Sequence, residues 1–363
     1  MMTNTALKTL GAQGLRQYQG LQADAVSVVT ERFYATHGSA CQGFGPRGRD
    51  ACREDLAFHL EFLRPVLEFG LLQPMVDYLC WLAGVLAARG IATEHLTLSL
   101  DWLAMYFADH MEAADGAVVS AALQAARTKF LAAGATPAAS PKSPAPWPAA
   151  SVFESLLLVG NQREAMAMVS GCIDQGRSLI EIEMHLIQPA LYGIGEKWQA
   201  NQVSVAQEHM ATAIAQSAMS LGLLRSSPSA PLGRRALLAC AEGNSHSLGL
   251  QMVTDAFQLA GWDVQFLGAN VPSPALVRQV AEWKPDLVCL SVAFAQHLRA
   301  VKVVIAQLDE RLGAIRPGIM IGGLAINRFN QLAEMAGADA FCTDAQAAVA
   351  AANQVIRARK AAP

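Results

Sequence analysis

The sequence has few charged residues, few aromatic residues and no long hydrophobic run. Charged residues make up 16% and aromatic residues 7% of the chain, and the formal net charge is −3. Such a chain lacks the excess of Lys and Arg that neutralises a phosphate backbone. The longest apolar run, 79–88, is about half of the ~20 residues that a membrane helix needs. We therefore expect neither direct nucleic-acid binding nor a membrane span.

The cysteines also lack an organised pattern. All seven are scattered, their number is odd and no Cys-x-x-Cys pair occurs. This usage is typical of reduced thiols and not of a disulfide framework or a zinc site. The first twenty residues contain Lys, Arg and Gln without the apolar core of a signal peptide. The sequence therefore predicts a cytoplasmic protein.

Proline-rich stretches divide the chain, whose 363 residues are enough for more than one domain. The stretch 134–151 reads GATPAASPKSPAPWPAAS, and its five prolines disfavour helix at each preceding residue. A softer break, rich in Ser and Pro, lies at 226–233. The sequence therefore predicts four parts: a helical domain over 1–133, a linker over 134–150, a four-helix bundle over 151–225 and an α/β domain over 234–363.

Hydrophobic periodicity predicts the fold class of each part. Leucines three and four residues apart indicate an all-α N-terminal domain, for which a globin-like arrangement is one option. A Gly- and Arg-rich stretch at 37–53 breaks this period and predicts a long loop. The last part alternates short apolar runs with segments of helix length, which predicts a Rossmann-like, flavodoxin-like parallel sheet of five strands. The runs lie at 236–241, 264–267, 287–292, 319–321 and 340–342.

Polar and glycine residues follow several of the predicted strands. The segment 242–249 contains a lone histidine, His246, just before a helix. Ser291 ends the third strand and Gly322-Gly323 follows the fourth. Because ligands of doubly wound sheets bind at the carboxyl ends of the strands, these residues are candidates for a binding site.

Their spacing resembles the cobalamin-binding domains of methionine synthase, of the corrinoid methyltransferase carriers and of the mutases. That family has Asp-x-His-x-x-Gly, then Ser-x-Leu, then Gly-Gly. Here Asn244-x-His246-x-x-Gly249 is followed by forty-one residues, Ser291-Val292-Ala293, twenty-eight residues and Gly322-Gly323, and both spacings match. The alternative is that His246 only caps a helix and that the two glycines only form a turn.

The resemblance implies that His246 is the lower axial ligand of the cobalt of cobalamin. Cobalt ligation requires a neutral imidazole whose other nitrogen is held by a partner, and Asn244 and Ser291 are the expected partners. The segment between Ser291 and the glycines is expected to bracket the nucleotide tail. Two positions depart from the family: Asn244 replaces the usual acid, and Ala293 replaces the usual Leu or Val.

A second motif refines the resemblance. Trp198, nine residues and Glu208-His209 resemble a motif of adenosylcobalamin photoreceptors of the light-dependent carotenoid-repressor type. In that type the Trp covers the upper face of the corrin and the Glu contacts the adenosyl ribose. Gln199 replaces a His that captures cobalt after illumination, so a different photoproduct is expected. The alternative places Trp198 in a helix core. The implied cofactor-binding residues are Asn244, Ser245, His246, Ser247, Gly249, Ser291, Ala293, Gly322, Gly323, Trp198, Val205, Glu208 and His209.

The N-terminal domain, including 49–91, resembles the photocobilins, which are cobalamin photoreceptors that also bind biliverdin. The resemblance implies arginines that pair with the bilin propionates, an aromatic pocket, and a cysteine that could attach the bilin. The implied bilin-binding residues are His37, Cys41, Arg47, Arg49, Cys52, Arg53, His59, Tyr78 and Trp81. Two alternatives are an ordinary helical core with surface arginines, and a haem site with His37, His59 or His95 as ligand.

The resulting prediction is a light sensor, not an enzyme, that binds adenosylcobalamin and biliverdin. Light is expected to break the cobalt–carbon bond, to repack the bundle and to change its interface with the first domain and the oligomeric state. The expected partners are the two chromophores, further copies of the chain and a downstream protein. The alternatives are a corrinoid carrier of a methyltransferase system and a cobalamin-binding transcriptional anti-repressor.

Overall fold

A computed structural model describes residues 7–41, 45–134 and 144–361. The chain divides into two compact units, Met1–Ala139 and Ser140–Pro363. The first unit is helical, and the second combines helices with a five-stranded parallel sheet. The predicted fold class is therefore confirmed.

Helices form the described part of the first unit. Its core contains leucines of the second helix, among them Leu60 and Leu63, and the hydroxyl of Tyr18 donates a hydrogen bond of 2.7 Å to the carbonyl oxygen of Leu60. The globin-like arrangement stays a prediction. The helices are α1 (Ala12–Cys41), α2 (Gly45–Phe69), α3 (Leu72–Ala87), α4 (Thr93–His110) and α5 (Ala113–Ala133).

The long loop predicted over 37–53 is wrong for most of its length, because α1 and α2 extend into it. Pro46 lies in the first turn of α2, where its missing N–H removes no intrahelical hydrogen bond. Arg49 reaches back to Glu31 of α1, with 3.2 Å between the guanidinium nitrogen and the carboxylate oxygen. Packing between the two helices therefore outweighs the low helix propensity of the glycines. Residues 42–44 lie outside the described part of the chain.

Helices at 150–225, which we call the cap, begin the second unit. A helical run at the centre of the cap is continuous but contains one π-helical turn, Glu183–Ile187, which we call the π segment. Ser178 and Ser204 cap the following helices through their side chains and those of Glu181 and Gln207. The cap helices are α6 (Ala150–Leu158), α7 (Gln162–Asp174), α8 (Leu179–Ile182), α9 (Gln188–Gln199) and α10 (Val205–Arg225).

The sheet follows the cap and has the strand order β2-β1-β3-β4-β5, with every neighbouring pair parallel. The order reverses between β1 and β3, so the carboxyl ends of these two strands form the switch point where doubly wound sheets bind ligands. The strands are β1 (Arg235–Cys240), β2 (Asp263–Gly268), β3 (Leu287–Ser291), β4 (Gly318–Gly322) and β5 (Ala340–Phe341). The helices are α11 (Leu248–Leu259), α12 (Ser273–Trp283), α13 (Leu298–Leu312), α14 (Leu324–Arg328), α15 (Gln331–Ala336) and α16 (Ala345–Ala361).

The cap and the sheet domain share one hydrophobic core. Met252 and Ala256 of α11 and Ala345 of α16 are buried among the apolar side chains of the cap. At the same junction, the side-chain nitrogen of Gln216 on α10 donates to the side-chain oxygen of Gln251 on α11 over 3.2 Å. The cap is thus packed directly over the switch point of the sheet.

Candidate functional site

A cavity of about 820 Å³ lies between the cap and the carboxyl ends of the strands. Its walls come from the π segment, α9 and α10 on one side, and from β3, β4 and the loops after β1, β4 and β5 on the other. Its volume falls within the range of about 300–1,000 Å³ typical of small-molecule sites. The cavity therefore occupies the position where the strand order predicts a ligand.

The loop after β1 is fixed by polar contacts at its base. Glu242 accepts hydrogen bonds from the backbone nitrogen of Ser273 at 3.0 Å and from its hydroxyl at 2.8 Å. These two bonds lower the pKa of the Glu242 carboxyl. The backbone nitrogen of Gly243, a residue at φ +87, donates to the side chain of Asn270 at 2.8 Å. The loop is therefore held in one conformation before it reaches the cavity.

Asn244 continues this support and is completely buried. Its side-chain nitrogen donates to the carbonyl oxygen of Ser291 at 2.9 Å, and its side-chain oxygen accepts from the backbone nitrogen of His246 at 3.0 Å. The sequence predicts Asn244 as a partner of the imidazole, whereas these bonds join the amide to the main chain. Asn244 thus ties the loop to the end of β3 and sets the position of His246.

The imidazole of His246 lines the cavity and contacts the ring of Phe294 edge-on, with 5.3 Å between the ring centroids. The surrounding protein removes solvent from the ring and lowers its pKa, while the carboxylate of Glu208, on the cap, partly opposes this effect. The neutral form, which carries the lone pair that a metal ligand needs, is therefore favoured. His246 can serve as the axial ligand of a metal that a macrocycle brings with it.

His297 is a neighbour that the sequence prediction missed. It follows β3 in a short 3₁₀ turn, Ala295–His297, and its Nδ1 accepts from the backbone nitrogen of Phe294 at 3.4 Å. Burial, followed by the charge of His246, lowers its pKa to about 4. His297 is therefore neutral near pH 7 and adds no charge beside His246. No spacing rule pointed to it, because it meets the loop after β1 only through the pairing of β1 with β3.

The glycine doublet permits a close approach of two main-chain segments. Gly323 has φ +100, and a Cβ atom there would lie 2.6 Å from the carbonyl oxygen and 2.9 Å from the nitrogen of Val292. A Cβ atom at Gly322 would lie 3.1 Å from the carbonyl oxygen of Cys342. Both glycines line the cavity, so their lack of side chains sets the shape of its floor.

The cap presents Glu208 and His209 to the cavity from the first turns of α10. The carboxylate of Glu208 lies 2.5 Å from Nδ1 of His209 and accepts a hydrogen bond of 2.9 Å from the hydroxyl of Thr212. Trp198 and Val205 lie outside the cavity wall, the former half-buried in the last turn of α9 and the latter 54% exposed at the start of α10. The cavity therefore has a carboxylate on its cap side and an imidazole on its sheet side.

The structure brings most of the predicted cobalamin-binding residues into one cavity wall, and their roles as ligand contacts stay predictions. The wall also contains thiols and polar groups that the sequence did not single out, including Cys289, Asn327 and Asp344. The predicted residues in the wall are Ser245, His246, Ser247, Gly249, Ser291, Ala293, Gly322, Gly323, Glu208 and His209.

The predicted bilin-binding residues that the structure describes lie on helices of the first unit, and their role in bilin binding stays a prediction. Arg49 and Arg53 share the carboxylate of Glu31. His59 is buried, with its Nδ1 2.8 Å from the hydroxyl of Tyr78. Arg47 is exposed, and Cys52 and Trp81 are half-buried. The side chain of Cys41 lies outside the described part of the chain.

His37 lies at a kink of α1 with φ −120 and ψ 17, in an aromatic cluster that extends through Phe33 and Tyr34 to Arg49. Its ring lies 5.2 Å from that of His95 and 6.3 Å from that of Trp102, measured between centroids. Phe33 contacts both histidines. Nε2 of His37 is buried without a hydrogen-bond partner in the described structure. Burial, followed by His37, lowers the pKa of His95.

Among the described residues, no group of three or more His, Cys, Asp or Glu side chains is arranged to hold a metal ion. Across the same residues, no helix has both the length and the apolar character to cross a membrane.

Comparison with known proteins identifies two segments. A family model described as the B12 binding domain matches residues 234–353, and a second model of the same description matches residues 153–221. The HTH-type transcriptional repressor CarA of Myxococcus xanthus is 30% identical over 191 residues, which are 52% of this chain and 63% of that protein. CarH of the same organism is 27% identical over 192 residues, 52% of this chain and 62% of that protein. The chain thus spans less than two thirds of either repressor.

Corrinoid proteins are also similar. Dimethylamine corrinoid protein 2 of Methanosarcina acetivorans is 30% identical over 115 residues, 32% of this chain and 52% of that protein. The solved structure of the monomethylamine corrinoid protein of Methanosarcina barkeri covers 57% of this chain and 96% of its own, with 20% identity and a TM-score of 0.48. Residues 153–221 and 234–353 therefore match models of B12 binding domains, and the chain is similar to the repressors CarA and CarH and to corrinoid proteins.

Proposed function

We propose that this chain is a light sensor whose chromophore is adenosylcobalamin. The observation that carries the proposal is the placement of Glu208 and His246 on opposite walls of one cavity. His246 offers a neutral imidazole from the sheet side, as a cobalt ligand requires. Glu208 offers a carboxylate from the cap side, where the hydroxyls of an adenosyl ribose need an acceptor. Similarity to CarA and CarH supports a regulatory output.

In this mechanism the chain's residues orient the cofactor and respond to its change. When bound, adenosylcobalamin supplies a cobalt–carbon bond that visible light cleaves. Glu208, held by His209 and Thr212, keeps its oxygens directed at the cap side of the cavity. Once that side is vacated, the carboxylate loses its partner and α10 can repack against the sheet domain. The motion is expected to alter the oligomeric state of the chain.

The first test is an absorbance spectrum of the chain with adenosylcobalamin, recorded in darkness and after green light. We expect a cobalamin spectrum that changes on illumination. His246→Ala should remove the signature of histidine ligation, while His209→Ala, on the cap side, should retain it. A light-stable spectrum contradicts the sensor, and unchanged ligation in His246→Ala contradicts the assignment of the lower ligand.

The role of Glu208 has its own test. Glu208→Gln should weaken retention of adenosylcobalamin by about tenfold, as expected for the loss of a charge-assisted hydrogen bond worth about 1.5 kcal/mol. Retention of methylcobalamin should not change, because its upper ligand is a methyl group with no ribose for Glu208 to contact. Glu196→Gln, at an exposed position of α9, is the matched control. Equal losses for both cobalamins contradict a contact with the adenosyl group.

We extend the proposal to a biliverdin site in the first unit, near His37. The buried Nε2 of His37 and the rings of Phe33, His95 and Trp102 support this location. A polar ring nitrogen without a partner is costly when buried, and a ligand group would satisfy it. Production with biliverdin should add a red-absorbing band that His37→Ala removes and that His110→Ala, in the same unit, retains. If both variants keep the red-absorbing band, the bilin binds elsewhere.

A corrinoid carrier for a methyltransferase is the second candidate. It is favoured by the position of Trp198 outside the cavity wall, because a methyl group needs no large cover. Trp198→Ala separates the two functions. A sensor should lose adenosylcobalamin more readily than hydroxocobalamin after this change, whereas a carrier should retain both equally.

A further inference from the structure

Three consecutive residues of the π segment contact three different parts of the second unit. Glu183 is buried beside Asp255 of α11, Met184 lines the cavity, and His185 contacts the segment that leads into the cap. A π turn contains one residue more than an α turn, and such turns are frequent at functional sites. The π segment therefore connects the cavity wall with α11 of the sheet domain and with the segment that leads into the cap.

His185 fastens the chain that precedes the cap. Its Nδ1 lies 2.8 Å from the carbonyl oxygen of Ala145, and its own carbonyl oxygen accepts a hydrogen bond of 2.9 Å from the backbone nitrogen of Trp147. The rings of Trp147 and His185 are stacked, with centroids 5.6 Å apart, and Arg177 lies over Trp147. A displacement of the π segment must therefore displace residues 145–147.

Glu183 and Asp255 bring two carboxyl groups together across the junction of the cap and the sheet domain. Glu183 is 0% exposed and Asp255 is 3% exposed. Among the described residues, the two carboxyl oxygens of Glu183 and Oδ2 of Asp255 have no hydrogen-bond partner outside the pair, and the two carboxyls can bond to each other when one is protonated. The neighbouring residues of the shared core, such as Met252 and Ala256, are apolar. No opposite charge among the described residues therefore balances the pair.

The charged groups around the pair have other partners. On the same helical run, Glu181 is bonded to Ser178, and His185 is directed to Ala145. At the contact of α10 with α11, Gln216 and Gln251 are uncharged and bonded to each other. The carboxyls themselves are the charged groups that act on one another. Burial is the main control of their ionisation; the charge of Asp255 and the hydrogen bond between the two carboxyls raise the pKa of Glu183 further, and the same hydrogen bond lowers the pKa of Asp255.

Two carboxylates cannot both be charged in a space of low polarity without a large cost in solvation free energy. Burial is the main cause that raises the pKa of Asp255 to about 6 and the pKa of Glu183 well above its usual range. The closed junction is therefore most stable when the pair is protonated. Exposure to water returns both groups to their ordinary acidity.

We propose that Glu183 and Asp255 form a proton-dependent lock that holds the cap on the sheet domain, so that opening the cavity releases a proton to solvent. In the closed state an O–H bond of a buried carboxylic acid is intact. On opening, that bond breaks heterolytically, the electron pair stays on the carboxylate and the proton passes to water. Low pH therefore favours the closed cap, and rising pH favours the open cap.

The lock is tested by hydrogen exchange of the full chain, measured without cofactor between pH 5 and 8 and corrected for intrinsic exchange rates. Peptides from 179–199 and 248–259 report on the junction. In the wild type, the opening equilibrium constant should rise by about tenfold per pH unit between pH 6 and 7, where opening releases the Glu183 proton, and more steeply between pH 5 and 6, where Asp255 also holds a proton in the closed state. Glu183→Gln should flatten this dependence and increase protection at pH 8. If Glu183→Gln keeps the pH dependence of the wild-type opening equilibrium, the proposal is wrong.

Controls separate the lock from general destabilisation. Glu196→Gln changes an exposed carboxylate on α9 and should keep the wild-type slope. Asp255→Asn tests the pair from the sheet domain and should also reduce the slope. Failure of both buried amide variants to fold at pH 5 overturns the proposal, because each replaces a neutral acid by a neutral amide. The measurement uses no cobalamin and no light, so its outcome is independent of the proposed function.

Discussion

Asn244 illustrates how one buried side chain can position another through the main chain. Its amide joins the loop after β1 to the end of β3. Asn244→Ala should cost about 1–3 kcal/mol of stability, because the backbone nitrogen of His246 loses its acceptor and the carbonyl oxygen of Ser291 keeps only the backbone nitrogen of Ala241 as donor. It should also weaken hydroxocobalamin binding, as measured by titration. Asn330→Ala, at a helix start where the side chain makes no capping bond, is the control and should change neither property.

His59 makes the stability of the first unit dependent on pH. Burial lowers its pKa to about 3, from 6.5 in the unfolded chain. Between these values the unfolded state binds one proton more than the folded state. Stability should therefore fall as the pH falls from 6.5 towards 3, by up to about 1.4 kcal/mol per pH unit.

The measurement for His59 is native-state hydrogen exchange of peptides from α2 and α3 as a function of pH. His59→Gln, which cannot titrate, should remove this part of the pH dependence. His110→Gln changes an exposed histidine of the same unit and should retain it. An unchanged profile in His59→Gln would show that other groups cause the acid sensitivity.

At the scale of single residues, the sequence predicted which residues would lie near the cavity better than it predicted the bonds that their atoms make. Motif spacing predicted His246, Ser291 and Gly322 for one site, and all three line the same cavity, since parallel strands end at one edge of a sheet. Spacing contains no information on which atoms of Asn244 would be bonded. It could not reveal His297 either, because that contact depends on the turn that follows β3.

At the scale of secondary structure, Gly323 is the position where a side chain is least tolerated in the described sheet edge. Gly323→Ala places a Cβ atom 2.6 Å from the Val292 carbonyl oxygen at a residue with φ +100. We expect a loss of about 1–3 kcal/mol or more, from steric overlap and backbone strain. Thermal unfolding of Gly323→Ala and of the wild type measures this loss of stability. Gly249→Ala meets no atom within 4 Å and should leave stability nearly unchanged.

The elements themselves were predictable to different degrees. The five strands are short apolar runs bounded by polar segments, so periodicity identified all of them. The π segment was not predictable, because residues 179–199 have the apolar pattern of an ordinary helix. Most of the stretch 37–53 was misassigned as a loop because α1 and α2 pack against each other, and contacts distant in sequence, such as that of Arg49 with Glu31, cannot be seen in a local pattern.

For the whole molecule, the division into two compact units predicts that residues 144–363 function alone. The described part of this segment contains the cap, the sheet and the complete cavity wall. We expect it to bind hydroxocobalamin with the affinity of the full chain, as measured by isothermal titration. The full chain is the control. A loss of more than tenfold in affinity would mean that the first unit contributes to the cofactor site.

The shared core under the cap also makes cap opening sensitive to temperature. Opening transfers Met252, Ala256 and Ala345 from an apolar interior to water. Hydration of apolar surface raises the heat capacity, so the free energy of opening follows a curve with a maximum and not a straight line. Cooling below that maximum weakens the hold of the cap just as warming does. A sensor built on this junction would therefore respond over a limited range of temperature, even under constant illumination.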